Sequence, residues 1–222
     1  MNLWGFGPEG EARRAPPSPE AIRAAQTRVG AWRLILDPRT QRVLQPGGVF
    51  VDVSSLAPGH AVDRLAAALR AHDVEDFLVE LGGELRAAGR KPDGSDWRVA
   101  VETPPRTGGA AATHELVIVL RDEAVGSSGD YRVGFEHEGR RYSHTIDPRS
   151  GEPVEHGLAA VSVIAPDAMQ ADALAAALLV LGPDAGWRFA RSRGVAAVFT
   201  ERQPDGNFRR RLTPEFERRR AR

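Results

Sequence analysis

The run YRVGFEHEGRRYSHTI, Tyr131 to Ile146, reads as two strands joined at Glu138-Gly139, and that reading decides the fold class. A two-residue connection with glycine in second place supplies the positive φ of a tight hairpin, and Tyr, Val, Phe and Ile around it favour strand. Strands joined so tightly pair antiparallel, because a parallel pair needs a long crossover. Upstream, WRVAVET from Trp97 and ELVIVL ending at Leu120 are further strands, and Phe77 to Leu81 reads as a buried one. Trp32 to Leu36 and Gly48 to Ser54 also read as strands, on either side of the turn-like DPRTQ at Asp37 to Gln41. Downstream, AAVSVIAP (Ala159 to Pro166) and VAAVFTE (Val195 to Glu201) complete the β set.

Helices enter between these runs without strict alternation. Ser18, Pro19 and Glu20 form an N-cap, N1 and first-turn acid, predicting a helix to about Val29. Val62, Leu65, Ala66 and Leu69 recur at helical spacing up to about His72. The run AMQADALAAALLVLG, capped by Asp167, predicts a helix stopped at Gly182, followed by a short one near Ala185 to Ser192. The class is therefore α+β, with antiparallel-rich sheets flanked by helices. A chain of 222 residues suits one domain over 1–222 or two packed subdomains. Gly7 to Pro19 reads as a loop, and 217–222 as a basic, solvated tail.

Composition narrows the functions. Thirty basic residues balance thirty acidic ones, so no broad electropositive surface is expected and nucleic acid is not an expected partner. With no cysteine, thiolate catalysis and sulfur-ligated metals are excluded. The opening residues MNLWGFGPEGEARR show neither an apolar leader core nor a cleavage site.

Chemistry concentrates at element ends. In VDVSSLAPGHAVD, Asp52, Ser54 and Ser55 precede a helix start, where free N–H groups suit an anion and carboxylate or hydroxyl oxygens a hard cation. An N-capped helix explains the same residues. Gly82-Gly83 lets backbone approach a flat ring or phosphate, or simply makes a bulge or tight turn. His144 and Asp147 end a strand before the turn PRSG, as a reactive pair or as structural groups. Asp172, early in an apolar helix, either complements the helix dipole or is a cation-binding carboxylate facing the first segment.

Read in order, NLWGFGP (Asn2 to Pro8), VDVSSLAPGHAVD (Val51 to Asp63), VELGGELRAAGRKPDGSDWRVAVETP (Val79 to Pro104), SSGDYR and RYSHTIDPRSGEPVEHGLAAVSVIAPDAMQADA (Arg141 to Ala173) resemble the ApbE family of FAD-dependent flavin transferases. The resemblance implies a magnesium-dependent enzyme that moves FMN from FAD to a Thr or Ser hydroxyl of an acceptor protein with a flavinylation motif, releasing AMP. Position by position it implies that Asp52, Gly82, Gly83 and Ile146 contact FAD, that Ser55 and Asp172 hold Mg²⁺, and that His144 orients or deprotonates the acceptor hydroxyl. It also implies a location in the cell envelope facing the periplasm, and it permits a homodimer.

The chain departs from the family pattern where Pro58 replaces Lys or Glu and where Ala175 and Ala176 stand in place of oxygen-bearing residues. Family members carry a long segment before the NLWGFG stretch, so the sequence reads as N-terminally incomplete. The departures frame two other expectations: a flavin-binding paralogue without transfer, and a subunit that works with a separate N-terminal half.

Overall fold

The structure is a computed structural model that describes residues 1–7, 15–104, 116–131 and 133–221. Most of the loop read between Gly7 and Pro19 lies outside the described residues. In chain order, helix α1 (Pro19–Gln26) leads to strands β1 (Ile35–Asp37) and β2 (Arg42–Leu44), then to helix α2 (Ala57–Ala71). Next come β3 (Phe77–Leu81), β4 (Glu84–Ala88), β5 (Trp97–Val101), β6 (Leu116–Leu120) and β7 (Ala124–Gly129). The hairpin β8 (Gly134–His137) and β9 (Arg140–Ser143) precedes the short β10 (Ile146–Asp147) and β11 (Glu152–Pro153). Strand β12 (Leu158–Ala165), helix α3 (Ala168–Arg193), β13 (Ala196–Arg202), β14 (Phe208–Leu212) and helix α4 (Pro214–Glu217) finish the chain.

These elements form two compact units, Met1–Asp52 with Val133–Glu155, and Val53–Arg132 with His156–Arg222. The larger unit is built on a six-stranded sheet of order β14-β13-β12-β7-β4-β3. Its pairings are antiparallel throughout. Strand β12 is buried at every position because both faces are covered. On one face Val161, Val163, Ala197 and Phe199 pack against Ala175, Leu178 and Leu179 of α3. On the other, Ile164 and Val198 meet Val99, Ile118 and Leu120 of the β5–β6 hairpin and Phe216 of α4. The alternation of 161, 163 against 164 follows from the two-residue period of a strand. Burying one such side chain contributes about 1.5–3 kcal/mol.

Helix α3 has the length and apolar content of a membrane span, and its apolar residues here serve the sheet. At Gly182 the backbone leaves helical geometry, φ 80° and ψ −178°, ahead of Pro183. The stop at Gly182 and the helix that follows are thus both present, across a kink that only glycine adopts freely.

In the smaller unit, Ser18 Oγ accepts the Ala21 amide of α1 at 3.3 Å. Trp4 is buried, and its indole N–H donates to the Gly151 carbonyl at 2.8 Å. Gln26 at the end of α1 donates to the Arg149 carbonyl at 3.1 Å. The hairpin at Glu138-Gly139 forms as read, with both residues at positive φ and His137 paired to Arg140.

Several sequence readings need correction. No strand forms over 48–54: Gly47 and Gly48 take positive φ, and Phe50, Val51 and Val53 stay about half exposed. A run of strand formers without a partner edge has nothing to pair with. Residues Ala31–Arg33 make a 3₁₀ turn and the strand begins only at Ile35. Strand β3 is not buried but lies at the sheet's edge, with Leu78 and Leu81 exposed. The C-terminal arginines do not end as a solvated arm: Arg219 pairs with Glu123 at 2.7 Å, and its carbonyl accepts the Val119 amide at 2.7 Å.

Candidate functional site

The larger unit holds Ser55, Gly82, Gly83 and Asp172. Helix α2 opens at Ala57 after a turn over 54–56, with Pro58 in its first turn, where a fixed φ is already helical. The N-cap position is Leu56, which offers no side-chain oxygen. The expected N-cap from Ser or Asp is therefore absent, and the cap comes from α3: Asp172 Oδ2 accepts the Gly59 amide at 3.1 Å. Leu56 and Ala57 donate to the Val53 carbonyl and His60 to the Leu56 carbonyl. The amides read as free for an anion are thus occupied, and what the turn presents is the exposed Ser55 and the Asp172 carboxylate.

Asp172 is 5% exposed, and among the described residues Gly59 is its only hydrogen-bond donor, leaving Oδ1 without a partner. Burial raises its pKa above the usual carboxylate value, and the Gly59 bond opposes that in part. A buried, half-partnered carboxylate is stabilised in its charged form by a nearby cation. Its close seat depends on two glycines. A Cβ on Gly59 would stand 2.4 Å from the Ala168 carbonyl oxygen, and one on Gly126 of β7 would stand 2.5 Å from the Asp172 nitrogen.

A second carboxylate, absent from the sequence-read candidates, completes this corner. Asp63, in the second turn of α2, accepts the Ala168 amide through Oδ1 at 3.0 Å and the Met169 amide through Oδ2 at 2.9 Å. Arg86 of β4 closes on Asp63 Oδ1, and both side chains are under one-fifth exposed. Asp167 Oδ1 takes the Gln170 amide at 2.8 Å and its carbonyl takes Ala171 at 3.2 Å. The first-turn amides of α3 are all satisfied, three by the Asp63 and Asp167 carboxylates and that of Ala171 by the Asp167 carbonyl, so none is left for an anion. An acid inside the apolar face of α2 was the one visible signal; its partners at 86 and 168–169 are remote in sequence.

Among the described residues no three His, Cys, Asp or Glu side chains gather as a metal cluster. Asp172 supplies a single carboxylate, an oxygen donor of the kind that suits a hard cation. Ala176 lies one turn beyond Asp172 on α3 and adds no oxygen. Ala175 is fully buried among Leu158, Leu178 and Phe199, so its methyl belongs to the core and not to this corner.

Gly82 and Gly83 take φ 70° and 109° in the two-residue link between Leu81 and its partner Glu84. The tight-turn reading accounts for both, with the Gly83 amide on Glu80 Oε1 at 2.8 Å.

The smaller unit holds Asp52, His144 and Ile146. His144 follows β9, and its Nδ1 lies 3.2 Å from the Val133 carbonyl, which also accepts the His144 amide at 3.4 Å. A carbonyl only accepts, so Nδ1 carries the hydrogen and the neutral ring keeps its lone pair on Nε2. Phe6 meets the His144 ring edge-on with centroids 6.4 Å apart, and Phe6, Phe135, Tyr142 and Trp4 continue as an aromatic series. Ile146 is half-buried and pairs with Pro153 across β10–β11. Asp147, beside it, is held by Arg149 through its guanidinium and amide. Asp52 is exposed, and its charge acts on the Met1 amino group, whose pKa burial lowers.

The chain is similar to known proteins in sequence and fold. The ApbE family model matches residues 1–199. The FAD:protein FMN transferase of Haemophilus influenzae is 39% identical over 209 residues, covering 93% of this chain and 60% of that protein. The protein of the same name from Escherichia coli is 36% identical over 219 residues, covering 97% and 61%. The apo crystal structure of the Pseudomonas stutzeri flavinyl transferase ApbE superposes with a TM-score of 0.85 at 44% identity, covering 98% of this chain and 65% of that one. This chain thus spans about three-fifths of the curated relatives' length. With 199 of its 222 residues inside the match, the chain belongs to the ApbE family.

Proposed function

We propose that this protein acts in Mg²⁺-dependent transfer of FMN from FAD to a Thr or Ser hydroxyl of an acceptor protein carrying a flavinylation motif, with AMP as the second product. Family membership and the relatives named FAD:protein FMN transferase support the reaction class. The observation that carries the reading is Asp172, buried with one oxygen on Gly59 and the other unpartnered among the described residues.

A divalent cation bound at Asp172, with Ser55 as a second oxygen donor, would offset the charge of the pyrophosphate. His144 Nε2 receives the acceptor hydroxyl's proton while that oxygen bonds to the FMN-side phosphorus. The bond from this phosphorus to the bridging oxygen breaks, and the oxygen leaves with AMP. Asp52, Gly82, Gly83 and Ile146 are the proposed FAD contacts. We further propose, by family analogy alone, that the reaction takes place at the cell envelope on its periplasmic side, with a homodimer as a compatible assembly.

Ala176 favours a second reading, FAD binding without transfer, because no side-chain oxygen supports Asp172 from the next helical turn. The deciding measurement incubates the protein, alone and joined to the segment its relatives carry beyond the match, with FAD, Mg²⁺ and an acceptor domain. Covalent flavin on the acceptor and equimolar AMP, both lost on adding EDTA, are expected. Bound FAD with neither product in both forms selects the second reading.

A further inference from the structure

Two carboxylates cross between α2 and α3, and only one of them is a candidate metal ligand. Asp172 leaves α3 to hold the Gly59 amide of α2, while Asp63 leaves α2 to hold the Ala168 and Met169 amides of α3. Asp63 uses both oxygens on α3, and Arg86 of β4 fixes the carboxylate against the sheet. Asp172 sits three residues beyond Met169 on the same rigid turn. Its position relative to the Ser55 turn is therefore set from both ends: by its own bond to Gly59, and by the Asp63 anchor on the turn that carries it.

We propose that Asp63, held by Arg86, is a positioning residue that places the Asp172 carboxylate for the divalent cation. The proposal rests on the reading of Asp172 as a cation ligand. Neither Asp63 oxygen is spare: each already accepts an α3 amide, so Asp63 acts through Asp172 and not as a ligand itself. An Asn at 63 retains one acceptor oxygen, releases one α3 amide and loses the charge that holds Arg86. Groups that orient a metal ligand commonly control affinity by about 10–100-fold.

The test uses the whole chain and Mn²⁺ as the probe, with free Mn²⁺ read by electron paramagnetic resonance well below each variant's melting temperature. The expected result is that Asp63→Asn weakens Mn²⁺ binding by about tenfold, with faster hydrogen exchange at the Gly59 amide, and that Asp172→Asn removes the site. A merely structural Asp63 would lower the melting temperature and leave Mn²⁺ affinity unchanged, which overturns the proposal while the Asp172 reading stands. Unchanged Mn²⁺ binding in Asp172→Asn overturns that reading and this proposal with it. Should Asp63→Asn fail to fold, Arg86→Gln carries the same test: weaker Mn²⁺ binding by a smaller factor supports the anchor, and native affinity overturns it.

Discussion

Asp63 and Asp172 cap each other's helices: the α2 carboxylate takes two amides from the first turn of α3, and the α3 carboxylate takes the Gly59 amide from the first turn of α2. Such crossed bonds require the two helices to approach closely, and glycine makes that possible. Helix α2 meets α3 at Gly59, and β7 meets α3 at Gly126.

Gly126→Ala puts a methyl 2.5 Å from the Asp172 nitrogen and 2.7 Å from the Ala171 carbonyl carbon, both backbone atoms that cannot rotate away. Overpacking of this kind costs about 1–3 kcal/mol. A lower urea midpoint at unchanged slope is the expected result. A native midpoint would mean that α3 shifts without cost.

That corner also shows what the sequence discloses and what it withholds. The Glu138-Gly139 hairpin, the Asp167 cap and the break at Gly182 follow from local rules, and all three are present. Strand β7 is a different matter: AVGSSG has the composition of a loop, yet it is central because glycine there lets a helix lie against the strand. Strand-like Phe50, Val51 and Val53 fail for the converse reason, having the right residues and no partner edge. Asp172 was readable as facing the Ser55 segment, whereas Asp63 and Arg86 were not, since their pairing depends on β4 lying beside α2. Likewise Ala175 and Ala176 look equivalent in sequence, and only the structure turns one to the core.

This difference between neighbours is measurable. Ala176→Thr places a hydroxyl one turn from Asp172 and should tighten Mg²⁺ binding with little change in stability. Ala175→Asp introduces a charge at a fully buried core position, where the penalty is several kcal/mol per ion. Titration calorimetry with Mg²⁺ and thermal melts separate the two, and a well-folded Ala175→Asp variant that binds Mg²⁺ more tightly would place residue 175 at the site.

Asp172 should make the metal-free protein less stable as pH rises. Burial raises its folded pKa above the unfolded value of 3.8, so the folded state binds the proton more tightly. The stability this gives is fully present below the unfolded pKa and is lost as pH climbs through the folded one. Chemical denaturation in EDTA across the acid range should show this loss in the native chain and a flatter profile in Asp172→Asn. Mg²⁺ should restore stability at neutral pH in the native chain only. An identical pH profile for both would deny Asp172 its raised pKa.

Trp4 ties the start of the smaller unit to the 148–151 turn through its indole N–H, 2.8 Å from the Gly151 carbonyl. Trp4→Phe keeps most of the ring contact with Tyr142 and removes the donor from a part-buried carbonyl. A loss of about 1–3 kcal/mol is expected for the unpaired group. Hydrogen exchange should report it first at Gly151, whose own amide bonds to the Asp147 carbonyl.

His144 offers the sharpest test of the chemistry. Val133 accepts both the ring Nδ1–H and the His144 amide, which fixes the tautomer and leaves Nε2 to receive a proton. His144→Gln can keep the backbone bond to Val133 and offers no comparable base. If Nε2 takes the acceptor hydroxyl's proton, transfer should slow by about 10²–10⁴-fold, and FAD affinity should stay within a few-fold of native. Single-turnover flavinylation followed by in-gel flavin fluorescence reads the rate, and FAD fluorescence quenching reads the affinity. Loss of both together would assign His144 to nucleotide binding, while an unchanged rate would remove it from the reaction.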